Sequence, residues 1–266
     1  MRPQPDSAPP SSGLIAPAAG WACFLDLDGT LVELAETPDA IEINPGVRDL
    51  LQATRTLTGG ALALISGRSL VELDQLIPGP PLPLAGQHGV ERRGADGVLH
   101  RHPFPSERLD LARQSLSEFI AQWPGLLLED KGSSLALHFR REPRLAGLAS
   151  RAVRSACKSL GPEFTVQEGK QVVELKPAGR DKGDAIFEFM AEAPFRGRTP
   201  VFVGDDATDE FGFAVVNRLG GHSIKVGPGP TTAFWRLHDV PAVLGWLSAG
   251  TPAPHPVRRH FPGSSH

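Results

Sequence analysis

Short apolar runs that end in polar residues recur along the chain and predict buried strands. Residues 22–27, 61–65 and 200–203 lack the alternation of a half-exposed strand, and each leads through a polar cluster into helical spacing. Ser69 and Glu72 form a capping-box pattern at one such helix start, and Thr208 precedes two acidic residues at another. Repeated strand–helix units of this kind predict a doubly wound parallel sheet of the α/β, Rossmann-like class.

The middle of the chain has a different pattern of elements. Helical spacing covers residues 106–123 and 143–160, and strand-like runs cover residues 126–128, 134–139, 164–167 and 172–175. The order α-β-β-α-β-β predicts an α+β module with a largely antiparallel sheet covered on one face by two helices. We therefore expect a cap domain inserted into the α/β core.

These patterns divide the chain into a core, a cap and two tails. We assign residues 21–104 and 178–249 to the core and residues 105–177 to the cap. Residues 1–20 and 250–266 are rich in small residues and proline, so we expect both tails to be disordered because they cannot bury enough apolar surface.

Composition excludes several classes of function. The 266 residues are 40% hydrophobic, which suffices for a sizeable core, and a net charge of -3 without long blocks of one sign gives no footprint for nucleic acid. Cys23 and Cys157 have neither CxxC nor Cys/His spacing, so we expect reduced thiols rather than a disulfide or a zinc site. No apolar run is long enough to cross a bilayer and no signal peptide is evident. We expect a cytoplasmic protein that binds neither nucleic acid nor membrane.

The segment Asp26-Leu27-Asp28-Gly29-Thr30 follows the first apolar run directly. Its alternating spacing can bring the Asp26 side chain and the Asp28 backbone carbonyl towards a common point. Two carboxylates so close repel one another unless a cation lies between them, so the pair suggests a metal site. The alternative is a simple acidic turn, and the apolar strand before it favours the metal site.

Three further segments have a related placement. Ser66-Gly67-Arg68 follows a strand, Lys182 stands just before a helix, and residues 204–209 supply more carboxylates after the last clear core strand. Each has an ordinary explanation alone: a serine–glycine turn, a solvated lysine, and an acidic helix N-terminus. Their joint arrangement at the ends of one sheet favours a site that holds a phosphoryl group and a hard cation.

With these residues in order, the chain resembles phosphatases of the haloacid dehalogenase superfamily, and its insert resembles their type-two caps. More narrowly, it resembles trehalose-6-phosphate phosphatases. That narrower resemblance is carried by residues 66–68, 86–91, 129–140, 174–177 and 204–210. The family often has tyrosine where Phe139 stands, a change that affects no catalytic residue.

The resemblance implies a mechanism. Asp26 is the expected nucleophile, and Mg2+ is expected to be held by Asp26, the Asp28 carbonyl and Asp205. Asp28 then serves as general acid for the departing sugar oxygen and as general base for water. The supporting roles fall to Ser66 and Lys182 at the phosphoryl group, and to Asp206 and Asp209, which orient the metal shell or Lys182.

The resemblance also assigns sugar recognition. Glu129, Lys131 and Glu174 are expected to read the hydroxyls from the cap, although such a charged trio is otherwise often a solvated surface group. On the core side, the candidate substrate contacts are Arg68, Gln87 and His88, and a histidine between small residues is as often structural.

Two alternatives remain open at this point. One is a phosphatase of the same fold for another sugar phosphate, such as sucrose phosphate or mannosyl-phosphoglycerate. The other is an inactive sugar-phosphate-binding module that regulates a partner, against which the intact Asp26, Asp28, Lys182 and Asp205 argue. A P-loop kinase is disfavoured because the GxxxxGK[ST] loop does not occur. We expect a monomer whose partner is a small-molecule sugar phosphate.

Overall fold

The computed structural model describes residues 14–35 and 40–250, and this part of the chain forms two β-sheets with helices packed on them. The strands β1 to β12 are Trp21–Leu25, Leu62–Ile65, Leu84–Gly86, Glu91–Arg93, Leu99–Arg101, Leu127–Asp130, Leu135–His138, Phe164–Gly169, Val172–Pro177, Thr199–Gly204, His222–Val226 and Trp235–Leu237. The helices α1 to α7 are Pro45–Leu57, Leu70–Leu76, Ser106–Ile120, Ala146–Leu160, Lys182–Met190, Asp209–Arg218 and Val240–Gly250. Within the described ranges, no helix is both long enough and apolar enough to cross a membrane.

The larger sheet has eight strands in the order β12-β11-β10-β1-β2-β3-β4-β5. The strands β12, β11, β10, β1, β2 and β3 run parallel to one another, which confirms the predicted parallel α/β class. The pairs β3–β4 and β4–β5 are antiparallel, an edge that the sequence did not predict because these short strands are charged and carry no apolar run.

Both faces of this sheet are covered, as a doubly wound fold requires. Cys23 and Leu25 of β1 belong to one apolar cluster, with α1 and α7, whereas Ala22 and Phe24 belong to another, with α5 and α6. Successive side chains of a strand project to opposite faces, so β1 must be apolar at every position. This accounts for the uninterrupted apolar run at the start of the folded part.

The smaller sheet has the order β6-β7-β9-β8, and all of its pairs are antiparallel. Helices α3 and α4 pack on it through a separate apolar cluster that includes Leu109, Leu137 and Val153. Register places Glu129 opposite Ala136 and Ala136 opposite Glu174. Cross-strand partners project to the same face, so these two glutamates share one face of the sheet.

The core extends further towards the N-terminus than the sequence boundary at residue 20. Leu14 and Ala18 pack against the core, and the indole N–H of Trp246 donates to the Ile15 carbonyl at 3.0 Å. The expectation of a disordered tail was therefore wrong for residues 14–20, where Leu14 and Ala18 pack on the core and the Ile15 carbonyl accepts from Trp246 of α7. It was also wrong for Gly250, the last residue of α7. The rest of both predicted tails, residues 1–13 and 251–266, lies outside the described residues.

The two cysteines are both free thiols in this structure. Cys23 is buried in β1, where desolvation raises the pKa of its thiol to about 12, although the Arg198 charge opposes the shift. A thiol that stays protonated is a poor nucleophile and metal ligand, so Cys23 acts as a small apolar core residue.

Candidate active site

A cavity lies between the carboxyl ends of β1, β2 and β10 and the smaller sheet. The carboxyl ends of parallel strands form the usual binding edge of such a fold. Core residues lining the cavity include Asp26, Asp28, Gly67, Arg68, His88, Lys182, Asp205 and Asp206. Residues 129–174 contribute Glu129, Lys131, His138, Arg140, Lys170, Val172 and Glu174.

Lys182 joins two carboxylates at the floor of the cavity. Its Nζ atom lies 2.7 Å from Asp26 and 2.7 Å from Asp209. Lys182 is the first residue of α5 rather than a residue before it, because Asp181 is the N-cap and forms a capping box with Asp184. Burial favours the neutral amine, but Asp209 and Asp26 outweigh it and raise the pKa of Lys182 above its ordinary value. The lysine is therefore a fixed positive charge beside Asp26.

Asp26 directly follows β1 and is almost fully buried. Desolvation raises its pKa well above the ordinary value, Lys182 opposes that shift, and the neighbouring Asp209 and Asp205 add to it. The Thr30 hydroxyl donates to its carboxylate at 3.1 Å. An added cation would relieve the crowding of negative charge and favour the ionised form of Asp26.

The carboxylates fit a divalent cation. Asp26, Asp205 and Asp209 each offer an oxygen within 4.8 Å of the other two. Asp209 is already engaged, since it accepts from Lys182 and, at 2.8 Å, from the Asp206 amide. Asp26 is engaged as well, by Lys182 and Thr30, so these contacts do not single out two of the three carboxylates. Gly29 makes the approach of Asp205 possible, because a Cβ on it would overlap the Asp205 carboxylate.

Arg68 holds Asp28 through two parallel contacts. Its Nε and Nη2 atoms each lie 2.8 Å from a different oxygen of the Asp28 carboxylate. Ser66, at the end of β2, is buried, and its hydroxyl oxygen accepts from the Arg68 amide at 3.1 Å. The Asp26–Thr30 loop and the Ser66–Arg68 loop are therefore fixed to one another, as the adjacent strands β1 and β2 predict.

The loop at Gln87 and His88 joins the core to the smaller sheet. Both residues have left-handed backbone conformations, with φ of 48° and 56°, and their amides donate to the Arg68 and Ser66 carbonyls. Ser133 donates to the Gln87 side chain, and His88 Nε2 lies 3.2 Å from Glu174. His88 lines the cavity, whereas Gln87 lies behind it against Ser133.

The predicted trio Glu129, Lys131 and Glu174 lies on the face of the smaller sheet that meets the cavity. Lys131 Nζ is 3.4 Å from Glu174 and 3.2 Å from the Gly67 carbonyl of the core. Burial alone would raise the pKa of Glu174, but the Lys131 and His88 charges and the Ser134 hydroxyl, 2.5 Å away, lower it below its ordinary value. These carboxylates and this ammonium are fixed in place rather than solvated.

His138 and Lys170 are among the residues of the site that were not predicted from the sequence. His138 lies 2.7 Å from Glu129 and lowers its pKa against the effect of burial. Lys170, at the turn between β8 and β9, contacts the Asp205 carboxylate. His138 could have been found from the sequence, because it stands nine residues after Glu129 in a predicted pair of neighbouring strands. Lys170 could not, because an exposed lysine in a turn has no distinctive sequence pattern. Asp206 lines the cavity, and its side chain accepts from the Ala207 amide.

The parallel sheet and the smaller module together have the haloacid dehalogenase fold. The structure is similar to the C-terminal domain of Candida albicans trehalose-6-phosphate phosphatase, with a TM-score of 0.76 at 20% identity over 88% of this chain and 92% of that one. It is also similar to a haloacid dehalogenase-like hydrolase from Bacteroides thetaiotaomicron, with a TM-score of 0.59 at 17% identity over 85% and 98%. At such identities these similarities show the fold alone.

Sequence comparison gives the family. The trehalose-phosphatase family model matches residues 24–241. Trehalose-6-phosphate phosphatase of Escherichia coli is 50% identical over 240 residues, covering 89% of this chain and 88% of that protein. A probable trehalose-phosphate phosphatase of Sinorhizobium fredii is 43% identical over 233 residues, covering 87% and 86%. The chain belongs to the trehalose-phosphatase family.

Proposed function

We propose that this protein is a Mg2+-dependent phosphatase that hydrolyses trehalose 6-phosphate to trehalose and phosphate through an aspartyl-phosphate on Asp26. One observation carries the proposal. A buried Asp26–Lys182–Asp209 cluster lies at the floor of a cavity, and Glu129 and Glu174 face that cavity from the smaller sheet. The floor suits phosphoryl transfer, and the opposite wall suits a polar, uncharged sugar.

In the first step, a carboxylate oxygen of Asp26 attacks phosphorus while the bond from phosphorus to the sugar oxygen breaks. Lys182, 2.7 Å from Asp26, offsets the repulsion between the carboxylate and the phosphate. Asp28 donates its proton to the departing sugar oxygen. Ser66 accepts a hydrogen bond from the Arg68 amide, so its own proton is available to a phosphoryl oxygen.

A divalent cation completes this floor. Asp26, Asp205 and the Asp28 carbonyl would hold it, and the oxygen-only donor set suits Mg2+. When bound, the cation supplies positive charge to the phosphoryl oxygens. We assign Asp209 and Asp206 to positions around the cation rather than to direct contact with it. Asp209 fixes Lys182, and it fixes the loop that carries Asp205 by accepting from the Asp206 amide.

In the second step, water attacks the phosphorus of the aspartyl-phosphate. Asp28 gave up its proton in the first step, so it can accept one from this water, and the bond from Asp26 to phosphorus breaks. Phosphate leaves and Asp26 is regenerated. The bidentate contact from Arg68 orients the ionised Asp28 as general base, and one of its two hydrogen bonds gives way while Asp28 carries the proton that it donates in the first step.

Sugar recognition is assigned to residues 105–177 acting as a cap over the core. A disaccharide offers many hydroxyls, which paired carboxylates and an ammonium can read. Glu129 and Glu174 share one face of the sheet, and Lys131 reaches the Gly67 carbonyl at the cap–core boundary. His88 and Arg68 line the core side, and Gln87 contributes through Ser133.

Fold alone does not separate an enzyme from a binding module. The structure of a Candida albicans trehalose synthase regulatory protein C-terminal domain shares this fold with a TM-score of 0.64 at 11% identity. The intact carboxylates and Lys182 favour the enzyme. The test is phosphate release from trehalose 6-phosphate, sucrose 6-phosphate, mannosyl-phosphoglycerate and glucose 6-phosphate, with Mg2+ present or chelated. We expect Mg2+-dependent release from trehalose 6-phosphate far above the others. A preference for another ester, or no turnover, would overturn the proposal.

A further inference from the structure

A lysine from the smaller sheet reaches into the proposed cation site. Lys170 occupies the β8–β9 turn, where Gln171 has a left-handed φ of 61°. Its ammonium contacts the Asp205 carboxylate across the cavity, 35 residues away in sequence. The same turn approaches the core at a second point, because a Cβ on Gly169 would lie 3.1 Å from an Asp206 carboxylate oxygen.

This ion pair differs from the surface pairs of the molecule. The Asp205 side chain is only 4% exposed, whereas that of Lys170 is 49% exposed. Burial removes water from around Asp205, so the electrostatic interaction between its carboxylate and a cation is stronger than it is at an exposed carboxylate. The pair also links two separate sheets. Its partner in the core is one of the three carboxylates that lie close enough together to hold a divalent cation.

An ammonium and a divalent cation on one carboxylate repel each other. Lys182 binds Asp26 and Asp209 rather than Asp205, and it is fixed in place as the first residue of α5. Lys170 stands on a two-stranded turn and can leave. Other contacts between the smaller sheet and the core, such as those from Lys131 to Gly67, from His88 to Glu174 and from Ser133 to Gln87, do not involve Asp205.

We propose that Lys170 is a cap-borne cation that competes with the divalent cation for Asp205, so that cation binding releases the β8–β9 turn from the core. The inference rests on the proposed cation site of the phosphatase. Lys170 is thus a positioning residue: it holds the turn against the core before the cation binds, and its displacement frees the turn to move when the sugar phosphate enters.

The test compares Mn2+ affinity, measured by electron paramagnetic resonance without substrate, in wild type and in Lys170→Met, Lys170→Arg and Lys158→Met. Lys158 is an exposed lysine on α4, so its variant controls for the loss of one positive charge. Lys170→Met should bind Mn2+ about tenfold more tightly than Lys158→Met, and Lys170→Arg should stay within about threefold of wild type. Equal affinities for the two methionine variants, or equal tightening in Lys170→Arg, would overturn the proposal.

Hydrogen exchange gives a second readout. Mg2+ should speed amide exchange at residues 169–172 in the wild type, and it should leave the already fast exchange of Lys170→Met unchanged. Increased protection of this turn on adding Mg2+ to the wild type would also overturn the proposal. Neither measurement needs turnover, so a failure here is distinct from a failure to hydrolyse trehalose 6-phosphate.

Discussion

Arg68 and Asp28 form a bidentate ion pair between loops that are 40 residues apart, with both nitrogen–oxygen distances at 2.8 Å. The guanidinium was expected to contact the sugar, but in this structure it holds the carboxylate assigned to proton transfer. A planar fork that grips both oxygens fixes the direction of the carboxylate as well as its position.

Removing the Arg68 guanidinium should slow cleavage of the bond to the sugar oxygen, because Asp28 donates a proton in that step. Arg68→Met is expected to lower the single-turnover rate of trehalose 6-phosphate cleavage by about a hundredfold, because a misdirected acid loses most of its advantage. Release of p-nitrophenolate from p-nitrophenyl phosphate needs no proton and should change little. Arg93→Met is the control, since it removes a bidentate pair with Asp74 outside the cavity. Equal losses on the two substrates would place Arg68 on the phosphoryl group instead.

Asp26→Asn should abolish turnover and leave the fold intact. The substitution removes the nucleophile and keeps its volume, while Lys182 retains Asp209 as a partner. We expect turnover below about a hundredth of wild type and Mg2+-dependent substrate binding that persists. Trapping of the aspartyl-phosphate state with a fluoride analogue should fail in this variant and succeed in the control Asp74→Asn. Residual turnover above that level would show that Asp26 is not the nucleophile.

Calcium should inhibit the enzyme rather than replace magnesium. Ca2+ accepts more ligands and longer distances than Mg2+, so both oxygens of Asp26 can bind it and the line of attack is lost. The measurement is phosphate release at fixed Mg2+ with increasing Ca2+, and then in Ca2+ alone. Full activity in Ca2+ alone would contradict the assignment of Asp26 to the cation.

The sequence predicted those parts of the site that follow uninterrupted apolar strands. Asp26, Ser66 and Asp205 each stand where a buried strand ends, and parallel strands bring such ends together. The order of elements in residues 106–177 also emerged from periodicity, because each amphipathic helix or strand faces a single apolar cluster.

Other contacts have no local signal. The Arg68–Asp28 pair and the Lys170–Asp205 pair depend on how separate loops meet, and an exposed lysine in a turn has the same sequence pattern whether or not it has a partner. The antiparallel edge strands are short and charged, so neither alternation nor an apolar run marks them. Tertiary contacts decide such features, and they are invisible to periodicity.

The residues around Glu174 should make the free energy of unfolding depend on pH in the acidic range. The pKa of Glu174 is lowered in the fold, so its contribution is complete above the unfolded value of about 4.3 and is lost as the pH falls through the folded pKa. The pKa of His88 is lowered mainly by burial, so protonation of that imidazole also favours the unfolded chain as the pH falls below about 6.5.

The free energy of unfolding, measured with urea, should therefore fall more steeply between about pH 5 and pH 3 in wild type than in Glu174→Gln. Glu163→Gln is the control, because Glu163 is an exposed residue paired with Arg108. Parallel curves for wild type and Glu174→Gln would show that Glu174 carries no such linkage.

Glu129 offers the sharpest test of sugar recognition. In the proposed mechanism, the core acts on the phosphoryl group through Asp26, Lys182 and Ser66 and on the leaving oxygen through Asp28. Discrimination among sugar phosphates must then come from the cap. Glu174 is a poor probe because it also binds Lys131, His88 and Ser134, and its loss would disturb closure.

Glu129 contacts His138 within the smaller sheet and lines the cavity, so its truncation should leave sugar hydroxyls unmet without loosening the core. Glu129→Ala is expected to cost on the order of 2–4 kcal/mol in kcat/KM for trehalose 6-phosphate, about thirtyfold to a thousandfold, whereas kcat/KM for p-nitrophenyl phosphate should barely change. Glu163→Ala, on the same module, should affect neither substrate. The informative quantity is the ratio of the two losses, and equal losses would assign Glu129 to folding or to phosphoryl transfer rather than to reading the sugar.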